Sequence, residues 1–135
     1  MADTQHDIWT QWLLQQRCGG DRERMHTMLN TYLYPVRDRV LSHANLRDDE
    51  TLLDVGCGDG LIAFGALDKV KTSKVILSDI SQDLLDHAQA IAREGHLDYR
   101  CEFVRASADD LSPIPDASVD VVTTRSVLIY VSVKR

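Results

Sequence analysis

Three glycines at alternate positions follow a short apolar run: Leu52-Leu53-Asp54-Val55-Gly56-Cys57-Gly58-Asp59-Gly60. Glycines spaced this way let the backbone turn sharply and come within contact distance of a ligand, because no Cβ intervenes. Two carboxylates, Asp54 and Asp59, flank the turn. A loop for a dinucleotide pyrophosphate follows Gly-x-Gly-x-x-Gly and leaves a helix N-terminus free for anionic oxygens. Here the third glycine comes one residue early, at Gly60, and Leu61 follows it. Acids beside that helix N-terminus repel phosphate and favour an ammonium or sulfonium group. The residue types point to a cationic or zwitterionic ligand and disfavour a dinucleotide-dependent oxidoreductase.

A further acid stands about twenty-five residues on, at the end of Lys74-Val75-Ile76-Leu77-Ser78-Asp79, where an open α/β sheet delivers its second strand. A strand-end carboxylate there can accept hydrogen bonds from both hydroxyls of a ribose. The same residues admit a purely structural account, in which the glycines only make a tight strand-to-helix turn, Asp59 caps one helix and Asp79 caps the next.

The elements that must position these groups follow from periodicity. From residue 51 the order reads strand, helix, strand, helix, strand, loop, strand. Strands are expected near 51–55, 74–78, 100–105 and 119–124, and helices near 60–70 and 82–94. This alternation predicts an α/β fold with a parallel, Rossmann-like sheet, right-handed crossovers and a ligand crevice at the carboxyl ends of the strands. Asp54, Asp79 and the 106–109 loop then converge on the crevice. Pro113 and Pro115 break the chain before the fourth strand. Upstream, Ile8, Trp9, Trp12 and Leu13, and then Met25, Met28, Leu29, Tyr32, Leu33, Val36 and Val40, recur at helical spacing on either side of Gly19-Gly20. Pro35 suits the first turn of a new helix. The chain divides into an N-terminal helical segment, 1–50, and a core, 51–135.

The glycine stretch resembles motif I of the class I S-adenosylmethionine-dependent methyltransferases, acid-x-Gly-x-Gly-x-Gly after the first strand. Asp83-Leu84-Leu85-Asp86-His87-Ala88 resembles the second helix of that family, and Cys101 to Leu111 its third strand and adenine loop. Ser118-Val119-Asp120-Val121-Val122 resembles its fourth strand. The resemblance implies a doubly wound sheet, here the first four strands of a seven-stranded methyltransferase fold. It implies S-adenosyl-L-methionine as cofactor, S-adenosyl-L-homocysteine as product and a small-molecule methyl acceptor, as in the quinone-biosynthesis and general metabolite branch. Asp54 is then expected to face the methionine ammonium, directly or through water. Gly56, Cys57, Gly58 and Gly60 pack against the methionine and ribose, with Cys57 a small filler of the turn. Asp79 takes the ribose hydroxyls, Ile80 lies beside it, and Ala108 offers its backbone N–H to adenine. Where many members carry an acid for the adenine amino group this chain has Ser107, with Asp109 two residues later, so either side chain is a candidate for that bond. Arg125 lies just beyond the fourth strand among the cofactor-contacting positions. No catalytic base is identifiable: an arginine cannot serve as one, and His6, His26, His43 and His87 fall in helical segments. No metal site is expected.

Composition bounds the rest. The chain has 135 residues, 15 Lys and Arg against 21 Asp and Glu, and a formal net charge of −6, which disfavours nucleic acid as a partner. Cys18, Cys57 and Cys101 are odd in number and widely spaced and read as free thiols. No run is long and apolar enough for a membrane span, and the N-terminus lacks the basic and apolar regions of a signal peptide, so a cytoplasmic protein is expected. The resembled family carries three more strands after the fourth. The sequence therefore predicts either a fragment of a longer enzyme or a homodimer that covers the apolar fourth strand, Val119 to Val122, and the run Val127 to Val131. The competing reading is a truncated, non-catalytic S-adenosylmethionine-binding module.

Overall fold

The computed structural model describes residues 23, 24, 27 and 29–124. Trp9, Trp12, Cys18, Arg125 and the run 127–131 lie outside them. A short π-helical turn, Leu29–Leu33, leads into helix α1, Tyr34–Ala44. Pro35 sits in the first turn of α1, where its missing N–H costs no helical bond. Asn45, in the left-handed conformation, closes α1 with its N–H on the Leu41 carbonyl. Four strands follow: β1, Thr51–Val55, β2, Lys74–Asp79, β3, Cys101–Arg105, and β4, Val121–Thr124. Helix α2, Leu61–Lys69, joins β1 to β2, and helix α3, Gln82–Glu94, lies between β2 and β3.

Two expected strands begin later than their sequences suggested. Arg100 closes a 3-10 turn, Asp98–Arg100, because its side chain is needed elsewhere. Only 9% exposed, Arg100 donates to the carbonyls of Ser73 and Val70, both at 2.9 Å, and of Leu67 at 3.3 Å. A guanidinium there satisfies the acceptors that the end of α2 leaves open. Residues 119 and 120 precede β4. Asp120 bridges to Thr51 instead, accepting from the Thr51 N–H at 2.8 Å and donating its own N–H to the Thr51 carbonyl at 2.9 Å.

All strand pairs are parallel, and the order across the sheet is β3-β2-β1-β4. The crossover direction therefore reverses between β1 and β4, and an open α/β sheet has its ligand crevice at such a reversal. One face of the sheet carries the main core, where Leu52, Val75 and Leu77 pack under Leu61, Phe64 and Leu67 of α2, Leu85, Ala88 and Ile91 of α3, and Leu41 of α1. The other face has Leu53, Val55 and Ile76, covered by Val104 and by Ala108, Leu111, Ile114 and Val119 of the connection between β3 and β4. Val122, on that second face, is 56% exposed. Among the described residues no helix is long and apolar enough to cross a membrane.

Candidate functional site

The turn after β1 is tied to β2 by two bonds to one carbonyl: the N–H groups of Gly56 and Cys57 donate to the Ser78 oxygen at 2.8 and 2.9 Å. Gly60 then sits at the N-cap of α2 with φ of 106°. An L side chain rarely adopts that angle, and a Cβ there would fall 2.3 Å from Cε2 of Phe64, a core ring 2% exposed. Gly58 also has a positive φ, 57°, but a Cβ on it would meet nothing within 4 Å. The loop thus packs on α2 at Gly60 and presents an open backbone at Gly58.

The acids are held in place from the sheet. Asp54, 2% exposed, accepts from the Thr123 hydroxyl of β4 at 3.0 Å; the parallel register sets these two residues opposite each other. Asp79, 9% exposed, accepts from the Gly58 N–H through Oδ2 and from the Ser81 N–H through Oδ1, both at 2.9 Å. Each oxygen keeps a further acceptor site, so the carboxylate is oriented by the backbone without being used up. The helix N-caps are other residues: Gly60 for α2, with no side-chain cap bond, and Ser81 for α3, whose Oγ accepts from the Leu84 N–H at 3.2 Å. The purely structural account, in which Asp79 serves as the cap of α3, does not describe this geometry, since Ser81 holds that place.

The field of these carboxylates registers on Cys57. Burial pushes its thiol well above the ordinary value, and Asp54, Asp79 and Asp59 push it further, against a smaller lowering by its own backbone bond. The thiol stays neutral, with its Sγ 3.4 Å from the Gly58 carbonyl, a small filler as its sequence position suggested. Three carboxylates around one turn favour a cation over an anion.

The third side of the crevice is the turn after β3. The Ala106 N–H donates to the Asp79 carbonyl at 3.1 Å, which pins this turn against the end of β2. The Ser107 hydroxyl donates to the Asp109 carboxylate, so the two alternatives for the adenine amino group form one hydrogen-bonded unit. Ala108 packs against the second-face core. Ile80, 65% exposed, stands at the mouth of an open groove of about 380 Å³ with Arg105, Ala106, Ser107, Asp110 and Pro113. Bonds from Ser112, the side-chain hydroxyl first and the backbone second, lower the Asp110 carboxyl below the usual range.

The structure brings Asp54, Gly56, Cys57, Gly58, Gly60, Asp79, Ile80, Ser107, Ala108 and Asp109 to the carboxyl ends of β1, β2 and β3. Thr123 and Ser81 were missed. The cap spacing from Ser81 to Leu84 was readable, whereas the partnership of Thr123 with Asp54 depends on a register between strands 69 residues apart. Tyr34 packs on the core and carries the Arg37 guanidinium 4.3 Å above its ring, while Tyr32 is 66% exposed.

A family model described as a methyltransferase domain matches residues 52–135. The chain belongs to the methyltransferase-domain family. Within this class I S-adenosylmethionine-dependent family, the chain is 37% identical over 90 residues to an uncharacterized methyltransferase of Schizosaccharomyces pombe, a match covering 63% of this chain and 32% of that protein. It is 36% identical over 89 residues to the 27-O-demethylrifamycin SV methyltransferase of Amycolatopsis mediterranei, covering 64% of this chain and 31% of that one. Among solved structures, an RNA methyltransferase from Salinibacter ruber in complex with S-adenosyl-L-homocysteine superposes with a TM-score of 0.58 at 30% identity, over 67% of this chain and 56% of that one. The chain spans about a third of the length of the curated relatives it matches. The methyltransferase-domain core accounts for the parallel order β3-β2-β1-β4 and for the glycine turn at its reversal. The cofactor of the family is S-adenosyl-L-methionine, which leaves as S-adenosyl-L-homocysteine.

Proposed function

We propose that this chain is the cofactor-binding part of an S-adenosylmethionine-dependent methyltransferase that acts on a small-molecule acceptor in the cytoplasm. Residues 51–135 are the methyltransferase core, and residues 1–50 are a separate N-terminal segment preceding it. The observation that carries the reading is the convergence of Asp54, Asp59 and Asp79 on an open glycine turn at the sheet's reversal. The residues present fit the cofactor: the Gly58 backbone is free of side-chain obstruction, and the Asp79 oxygens keep acceptor sites.

Bound there, the cofactor supplies an electrophilic methyl group whose leaving group is a neutral thioether. Asp54, steadied by Thr123, holds the methionine ammonium. Gly56, Cys57, Gly58 and Gly60 let the backbone lie against the methionine and ribose. Asp79 binds the ribose hydroxyls. Ile80 covers one side of the adenine, Ala108 meets its edge with a backbone N–H, and the Ser107–Asp109 unit accepts from its amino group. Arg125, next in the chain after β4, is a further candidate for binding the cofactor. Since a thioether needs no protonation to depart, holding donor and acceptor in line is the main contribution, worth about 7–11 kcal/mol in favourable cases. The rifamycin relative supports a small-molecule acceptor, and the net charge of −6 runs against a polyanionic one.

The test is calorimetric titration of the chain with S-adenosylhomocysteine and, separately, with a nicotinamide dinucleotide, with light scattering on the same samples. Micromolar binding of the first and none of the second is expected. The reverse preference overturns the reading. A dimer by scattering supports pairing over the exposed Val122 side of the sheet, and a monomer excludes it.

A further inference from the structure

Ser78 is fully buried at 0% exposure, and its Oγ has no hydrogen-bond partner in the structure. A buried hydroxyl in that state is a cost to the fold, and such groups are rare enough to need a reason. Its position supplies one. Side chains alternate along a strand, so Ser78 shares the second sheet face with Ile76, and the registers place it beside Val55 of β1 and Val104 of β3. The connection bearing Ala108 packs over that face. The Ser78 carbonyl anchors Gly56 and Cys57, and the neighbouring Asp79 carbonyl anchors Ala106. The hydroxyl therefore lies under the junction of the glycine turn and the 106–109 turn, in a patch otherwise made of Val55, Val104 and Ala108. Alanine would fill this place at no polar cost.

We propose that Ser78 is a positioning residue for the nucleoside end of the ligand, its hydroxyl gaining its hydrogen bond when an adenine nucleoside seats against the 106–109 turn. The inference rests on the cofactor reading above and adds a residue to it. Having no exposed surface, Oγ does not touch the purine itself; the partner it gains is a polar group of the turn packed over it, drawn in when the nucleoside seats. The unpaired hydroxyl disfavours the free form, and ligand binding relieves it, so binding orders the turn above.

The experiment compares wild type, Ser78→Ala and Ser78→Cys by thermal unfolding without ligand and by calorimetric titration with S-adenosylhomocysteine and with adenosine. Ser78→Ala is expected to raise the ligand-free melting temperature by about 2–6 °C while weakening both ligands about fivefold. Ser78→Cys, a weak donor of similar size, should fall between. Opposite signs of stability and affinity are the signature; a hydroxyl with a merely structural partner would lower stability and leave affinity alone. Wild-type affinity in the alanine variant overturns the inference while the cofactor reading stands. Failure of wild type itself to bind S-adenosylhomocysteine overturns both.

Discussion

Substituting alanine at Gly60 and at Gly58 separates what the turn does for the fold from what it does for the ligand. Both residues have positive φ, 106° and 57°, so each alanine carries backbone strain of roughly 1–2 kcal/mol. The surroundings then differ. At Gly60 the new methyl would stand 2.3 Å from Cε2 and 2.4 Å from Cδ2 of Phe64, so the ring must leave its packed place in the core, an overpacking cost of roughly 1–3 kcal/mol. The sum for Gly60→Ala is about 2–5 kcal/mol, a large part of an ordinary domain's ~5–15 kcal/mol. At Gly58 no atom lies within 4 Å of the new methyl, so only the strain remains. Differential scanning calorimetry should show Gly60→Ala melting on the order of 10–20 °C below wild type and Gly58→Ala only a few degrees below. Titration with S-adenosylhomocysteine should show the converse for Gly58→Ala, a loss of at least tenfold, because its methyl stands on the open side of the loop. Equal melting temperatures for the two variants would refute the packing argument, and wild-type affinity in Gly58→Ala would refute the placement of the ligand.

Thr123→Val removes the 3.0 Å bond to Asp54 and should lower stability or cofactor affinity by about 1–3 kcal/mol, read from denaturant unfolding and calorimetry together; no change in either would show that Asp54 needs no support from β4. Asp79→Ala removes the acceptor for Gly58 and Ser81 and should abolish measurable S-adenosylhomocysteine binding, whereas retained micromolar affinity would place the ribose elsewhere. Arg100→Met leaves the carbonyls of Leu67, Val70 and Ser73 without their donor and should cost about 2–4 kcal/mol in urea unfolding, with ligand affinity in the folded protein unchanged. Burial, opposed by Arg100 and aided by Asp98, pushes the Cys101 thiol from an ordinary 9.0 to about 12. Its neutral form is thus favoured in the fold, the unfolded chain loses the proton first, and the contribution to stability is full below pH 9 and is lost between pH 9 and 12. Cys101→Ala should flatten that part of the stability curve, and an unaltered slope would contradict the shift.

The crevice was readable in the chain because its parts are local. A tight turn at positive φ favours glycine, an acid at a strand end announces itself within a few residues, and period-two and period-3.6 patterns mark strands and helices without reference to partners. These features sufficed for Asp54, the three glycines and Asp79, and for the α/β alternation. The starts of β3 and β4 were misplaced because Arg100 and Asp120 serve distant carbonyl and amide groups, which no local pattern records.

What the sequence by itself determined is therefore the set of groups gathered at the carboxyl ends of the strands and the order of the elements bearing them. Tertiary structure alone decided how those groups are held: the pairing of Thr123 with Asp54 across β1 and β4, the two backbone donors on Asp79, the burial that keeps Cys57 neutral and the unpaired hydroxyl of Ser78. The physical reason is that backbone geometry and side-chain periodicity are encoded residue by residue. Register, burial and electrostatic field arise only when strands far apart in the chain are brought side by side in one sheet.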